Sequence, residues 1–167
     1  DLYAGTGVLG IEALSRGAAE SWFVEQDAEA ARALELVLDR FDGPGHDRGR
    51  VLRADARRWL AGPVPRSFDL VFLDPPYAAD ELGNLCTLLA RGWLAPHAWV
   101  YLETSRKNAL PALPAGWQLH REREAGEVRY APDPAPSTGE LVRSAFADHM
   151  RHIGRIPGTV GYTAKGI

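Results

Sequence analysis

The sequence predicts a doubly wound α/β fold on a parallel sheet, and three observations carry that prediction. Short apolar runs alternate with segments of helical periodicity. A glycine-rich turn, Gly5-Thr-Gly-Val-Leu-Gly10, opens one helical segment, and an acid, Glu25, closes the apolar run after it. A second apolar run, from Phe68 to Leu73, stops at Asp74-Pro-Pro-Tyr77, where two prolines remove the donors that a ladder needs.

The elements follow in chain order. Val8, Ile11, Leu14 and Ala18 recur at steps of three or four, which predicts a helix ending at Gly17. Ser21-Trp-Phe-Val-Glu25 reads as a buried strand. Residues 28–41 read as a helix with Leu34, Val37, Leu38 and Phe41 on one face, and residues 42–47 as a loop. Val51-Leu-Arg53 is a short strand, followed by Asp55 and a brief helix through Trp59. After the Phe68 strand come a helix over 81–91, with Cys86 as a small core residue, and a strand over 99–103. Residues 117–124 and 127–130 flank Ala125-Gly126, which predicts a C-terminal antiparallel hairpin. Pro132-Asp-Pro-Ala-Pro136 reads as a linker. Ser137 and Glu140 have capping-box spacing, and Val142, Phe146, Met150 and Ile153 trace one helical face. From Pro157 onward no period is convincing. The division is a domain over 1–131 and a Pro-rich linker and tail of unknown role over 132–167.

Composition narrows the class. The chain has 167 residues, 46% hydrophobic and 25% charged, which fits one globular domain and excludes collagen-like, coiled-coil and wholly disordered chains. There is no apolar run near the ~18 residues of a membrane helix and no signal-peptide pattern at the N-terminus. One cysteine, Cys86, rules out a disulfide framework and suits a reducing cytosol. A net charge of -3 neither supports nor excludes a nucleic-acid partner. The only methionine is Met150, so Asp1 reads as the start of a processed product or of a fragment.

Two motifs carry chemistry. The glycine turn with Glu25 suits a nucleotide-like ligand, the turn approaching it and the acid accepting from ribose hydroxyls, although NAD or a structural turn fits it too. Asp74-Pro-Pro-Tyr77 narrows the choice. An exocyclic amino group on a base is a poor nucleophile because its lone pair is delocalised into the ring. Acceptors around its N–H groups, the Asp74 carboxylate and the Pro75 carbonyl, hold the nitrogen closer to tetrahedral, and Tyr77 offers a face for stacking. His149 and His152 lack a third ligand nearby, so no metal is expected. Arg57-Arg58, Arg106-Lys107 and Arg121 with Arg123 read as solvated faces rather than phosphate contacts.

Taken in order, Asp1-x-x-x-Gly5-x-Gly7, Glu25, Asp55 and Asp74-Pro-Pro-Tyr77 resemble the S-adenosylmethionine-dependent amino methyltransferases. More narrowly, DLYAGTGVLGIEALSRGA, FVEQD, FDLVFLDPPY, VYLE and LHREREAGEVRYA resemble the bacterial 16S rRNA guanine-N2 methyltransferases (RsmD type), over residues 1–131. LSRGA and the hairpin separate them from adenine-N6 DNA methyltransferases, which share the proline loop. The resemblance implies a Rossmann-like class I fold with S-adenosylmethionine as cofactor and no metal. Gly5 and Gly7 would approach the cofactor, Asp1 its ammonium, Glu25 the ribose, and Asp55 with Ala56 the adenine. Asp74, Pro75 and Tyr77 would grip the guanine. The implied partner is 16S rRNA or the small ribosomal subunit particle, met by a cytoplasmic monomer.

The chain departs from that family in two places. The family's basic N-terminal extension and first sheet strand, which lies between the strands ending here at Glu25 and Leu73, precede the Asp1 motif and are missing. The expectation is a chain that alone folds poorly or binds cofactor weakly. The tail from Pro132 has no counterpart in the family, and covering the open gap in the sheet is one role for it. A DNA adenine-N6 methyltransferase and a noncatalytic remnant are the competing readings. A dehydrogenase comes after both, because the proline loop would have no task there.

Overall fold

The structure, a computed structural model, describes residues 1–43, 47–76, 79–105, 111–124 and 159–166. After the glycine turn comes helix α1 (Val8–Ser15), then strand β1 (Ser21–Glu25), α2 (Ala28–Asp42) and β2 (Gly49–Arg53). The second half runs α3 (Ala56–Leu60), β3 (Phe68–Leu73), α4 (Ala79–Leu89), β4 (Leu94–Ser105), β5 (Trp117–Glu124) and β6 (Thr159–Gly166). β1 pairs with β2, and β3 with β4, both in parallel. β6 lies between β4 and β5 and runs antiparallel to each. This is the expected α/β architecture, with helices on both faces of a largely parallel layer.

Alternation along the strands explains the two faces. Val71 and Leu73 of β3, with Val100 and Leu102 of β4, pack against Leu60, Leu82, Leu85, Cys86 and Leu89 of α3 and α4. Phe72 and Tyr101, one residue out of phase, meet Leu9 and Ala13 of α1. Phe23 of β1 meets Leu34 and Leu38 of α2. Helix starts are equally explicit: the Asp27 carboxylate accepts from Glu29 N–H at 3.0 Å and Ala30 N–H at 2.8 Å, capping α2.

The layer is joined through its first residues. Leu2 forms parallel bridges to both Val24 of β1 and Leu73 of β3. The Asp1 amino group donates to Trp22 O at 2.8 Å, Val24 N–H to Asp1 O at 2.8 Å, and Leu2 N–H to Phe72 O at 2.9 Å. Beyond this seam, toward the amino ends of the strands, β1 and β3 part around a cleft of about 280 Å³ lined by Trp22, Val24, Trp59, Phe68, Val71 and Trp93. The expected gap between the strands ending at Glu25 and Leu73 is thus bridged at its carboxyl end and open below.

At the far edge β5 runs antiparallel to β6, while residues 127–130, the predicted hairpin partner of 117–124, lie outside the described residues. The described part of the tail, β6, does not lie in the gap: it enters the sheet between β4 and β5, where β4 offers it a long ladder from Trp99 to Ser105. Strand β4 also begins earlier than periodicity predicts. Pro96 and His97 (φ 63°) interrupt its extended run, and the register slips between Phe68↔Leu94 and Leu70↔Trp99. The helix predicted after Ser137, His149 with His152, the linker and Arg106-Lys107 lie outside the described residues. Among the described residues no helix is long and apolar enough to cross a membrane.

Gly10 and Cys86 give two tests. A Cβ on Gly10 would lie 2.2 Å from Phe23 Cε1 and 2.7 Å from Ser21 Oγ, so Gly10→Ala is expected to lose about 1–3 kcal/mol in urea unfolding. Cys86 is wholly buried in α4, and burial pushes its thiol up to about 12. Between pH 9 and 12 the folded chain keeps a proton that the unfolded chain releases, so this group makes stability fall as pH rises through that window. Native protein at pH 8–9 is expected to resist a thiol reagent that labels it rapidly in urea.

Candidate functional site

Parallel pairing gathers the candidate residues at one edge. Glu25 ends β1, Asp55 follows β2 and Asp74 follows β3, so all three carboxylates stand at carboxyl ends of strands. The chain turns outward in opposite directions on either side of Leu2, a topological switch point where open α/β sheets form a crevice. Ala54 N–H donates to Glu25 O at 3.0 Å and sets the Asp55 loop beside the end of β1.

The glycine turn is held by acids. Gly5 N–H donates to Glu25 Oε2 at 2.8 Å, and Glu25 Oε1 accepts from Asp27 N–H at 2.8 Å. Each carboxylate oxygen has a second lone pair, so Glu25 retains acceptor capacity for hydroxyl groups. Gly10 N–H donates to Asp1 Oδ2 at 2.9 Å. A carboxylate therefore sits at the start of α1, where a dinucleotide fold would receive a pyrophosphate. The turn is thus matched to a ligand bearing positive charge and hydroxyls.

The three glycines divide the work. Gly5 has φ +51°, and a Cβ there would meet nothing nearer than Tyr3 O at 4.0 Å, leaving its side of the turn open. Gly7 has φ +74° and is buried; a Cβ there would lie 2.3 Å from Leu34 Cδ1. Its N–H donates to Ala4 O at 2.7 Å. Packing against α2 as well as any ligand contact thus demands glycine at position 7.

Asp55 caps α3 through Oδ1, which accepts from Arg58 N–H at 2.8 Å. Ala56 is buried in the face shared with α4. Arg57 and Arg58 are exposed. At the end of β3, Asp74 is exposed while Pro75 is buried, which stiffens the loop and presents the acid outward. Tyr77 lies outside the described residues. The structure thus brings Asp1, Gly5, Gly7, Glu25, Asp55 and Ala56 to one edge, with Asp74 and Pro75 at the same ends of the strands.

Four further residues stand close to this edge. The Tyr101 hydroxyl donates to Glu103 Oε1 at 2.5 Å, and Glu103 is the one charged side chain buried among the described residues. Burial and the neighbouring Glu103 and Asp74 charges hold the Tyr101 hydroxyl well above its ordinary value. Their signal is the alternation Tyr-x-Glu at the end of a strand, which puts both on one face. Tyr3 donates to Glu81 Oε1 at 3.0 Å, a pairing no local pattern announces. Among the described residues no three His, Cys, Asp or Glu side chains cluster to hold a metal ion.

Solved structures share this arrangement. One from Escherichia coli, described as a methyltransferase, superposes with a TM-score of 0.73 at 29% identity, covering 98% of this chain and 72% of that one. One from Listeria monocytogenes, described as an S-adenosylmethionine dependent methyltransferase, shares the fold at a TM-score of 0.62 and 12% identity, covering 100% and 88%. The architecture is that of the class I S-adenosylmethionine-dependent methyltransferases. Within that class the chain belongs to the family described as Conserved hypothetical protein 95, whose pattern matches residues 1–132, and it is of RsmD type. The ribosomal RNA small subunit methyltransferase D of Escherichia coli strain K12 is 39% identical over 131 residues, 78% of this chain. The matched region spans 64% of that relative's length.

The Asp55 cap is separable from any ligand role. Asp55→Ala is expected to lose about 0.5–2 kcal/mol of stability, and Asp55→Asn, which still caps, much less. Urea unfolding of the two variants measures the difference.

Proposed function

We propose that this chain carries the catalytic unit of an rRNA methyltransferase that moves a methyl group from S-adenosylmethionine to the exocyclic N2 of a guanine in 16S rRNA. The observation that carries the reading is the end of β3: parallel pairing delivers exposed Asp74 and the rigid Pro75 to the edge that also holds Gly5 and Glu25. In this reading residues 1–131 are the catalytic domain, and 132–167 are an appended linker and tail that lends β6 to the sheet. The protein acts as a cytoplasmic monomer on 16S rRNA or the small ribosomal subunit particle.

The residues present fit the cofactor. Asp1 and Glu25 bring negative charge to the glycine turn, which suits an ammonium group and ribose hydroxyls better than a pyrophosphate. Gly5 leaves room for close approach, Gly7 holds the start of α1, and Glu25 accepts from the ribose. Asp55 faces the adenine amino group with Ala56 beside it. When bound, the cofactor supplies a methyl group activated by its sulfonium charge.

The remaining work falls to the loop after β3. The Asp74 carboxylate and Pro75 carbonyl accept from the two N–H groups of the guanine N2, which turns the nitrogen lone pair away from the ring and toward the methyl group. Tyr77 stacks on the extruded base and excludes water. The proton that N2 loses after methylation passes to Asp74 or to solvent. Positioning and electrostatics lower the barrier, with no covalent protein intermediate.

The test is methyl transfer from labelled S-adenosylmethionine to 16S rRNA or small subunits lacking the modification, with duplex DNA in parallel. Transfer to the rRNA is expected, and Asp74→Ala is expected to lose about 100-fold or more. An unchanged rate in Asp74→Ala would remove the proposed grip, and transfer to DNA alone would replace the substrate. Cofactor binding with no transfer to either would favour a noncatalytic remnant.

A further inference from the structure

Tyr3 occupies an unusual position in the seam of the sheet. Its neighbours are fixed on both sides, Leu2 N–H to Phe72 O at 2.9 Å and Ala4 N–H to Val24 O at 3.1 Å. Between them Tyr3 takes φ 60°, a left-handed backbone that a bulky side chain rarely adopts. Such a conformation persists where the surroundings over-determine it. Here it sends the half-buried side chain onto the α3–α4 face, where its ring packs against that core cluster. Its hydroxyl then donates to Glu81 Oε1 at 3.0 Å, across 78 residues of sequence.

What this bond connects matters. Tyr3 lies two residues before Gly5, the open point of the cofactor turn. Glu81 lies in the first turn of α4, four residues beyond Tyr77. The loop that begins at Asp74 is anchored at one end by β3 and the buried Pro75. At its other end the core of α4, Leu82, Leu85, Cys86 and Leu89, fixes the body of the helix, and Glu81 precedes that grip. The hydroxyl remains a donor at every working pH: burial, the bond to Glu81 and the charges of Glu81 and Asp55 all hold its proton on, with Arg57 opposing.

We infer that the Tyr3–Glu81 hydrogen bond is a latch between the cofactor turn and the loop that grips the acceptor base, and that Tyr3 and Glu81 are positioning residues for that base. The inference rests on the proposed function for its catalytic consequence, but the latch itself is a property of the fold. Fixing both ends of the loop narrows the positions that Asp74 samples, and the second anchor is attached to the turn that receives the cofactor. The base-binding loop is therefore aligned to the cofactor turn rather than only to the sheet.

Three variants of the full chain test the latch: Tyr3→Phe, which removes only the hydroxyl, Glu81→Ala, and Glu81→Gln, which keeps an acceptor oxygen. Hydrogen exchange reads the latch directly at the amides of residues 83–85, whose helical partners are the carbonyls of 79–81. Tyr3→Phe and Glu81→Ala are expected to speed exchange there about 10-fold relative to wild type, with Glu81→Gln close to wild type and residues 86–89 unchanged. In methyl transfer, the first two are expected to raise the KM for rRNA or lower kcat about 10-fold, while the Kd for S-adenosylmethionine by calorimetry stays within about two-fold.

Wild-type exchange in Tyr3→Phe overturns the latch, as does Glu81→Gln behaving like Glu81→Ala. Equal losses in cofactor affinity, rate and Tm overturn the positioning role, because they mark a purely structural bond. Absence of methyl transfer in wild type counts against the proposed function, and the exchange measurement still decides the latch.

Discussion

Leu2 pairs on both sides at once, with Val24 of β1 and with Leu73 of β3, and this double bridge is the constraint on which the rest of the molecule depends. Without it the chain is two separate sheets, β1–β2 and β3–β4–β6–β5. The backbone bonds of Asp1, Leu2 and Ala4 set how far β1 and β3 stand apart, and so fix the spacing of everything carried at their carboxyl ends. The distance between Glu25 and Asp74 is therefore a property of a few residues at one end of the seam. The aromatic side chains below it, with Trp59 and Trp93 ring centroids 4.3 Å apart, line a cleft rather than a ladder.

Charge then selects what the edge can receive. Acidic groups occupy the points where a pyrophosphate-binding fold leaves backbone N–H groups free: Glu25 takes the Gly5 N–H and Asp1 the Gly10 N–H. A phosphate brought to this turn would meet carboxylates and be repelled, whereas a cation with hydroxyls would complete their hydrogen bonding. The acids that do structural work in the turn thus also set the charge that any ligand there would meet.

Local chemistry made much of this legible in the sequence. β3 ends where Asp74-Pro-Pro begins because proline cannot donate, and α1 starts where Gly7 can adopt a left-handed conformation. Asp55 announces a helix start by its residue type. The misses share a different cause. β6 carries Thr159, Val160, Tyr162 and Thr163, which favour strands, but Gly158, Gly161 and Gly166 dilute the pattern, so only pairing with β4 reveals it. The early start of β4 is hidden by Pro96 and by the left-handed His97. The motif places Gly7 at the ligand, yet its tightest constraint is Leu34 of a different helix. The bond from Tyr3 to Glu81 spans 78 residues of sequence, and no periodicity encodes such a pair.

The place of β6 has a consequence for how the molecule assembles. Within the described residues β5 has no ladder with β4; its hold on the sheet runs wholly through β6, which arrives much later in the chain. The ladder that pairs Glu103 with Gly161 closes a long loop, a slow event compared with the local β1–α2–β2 pairing. The Leu2–Leu73 bridge spans still more of the chain, so only the β1–α2–β2 unit rests on local pairing, and both the seam that carries the site and the edge beyond β4 depend on long closures.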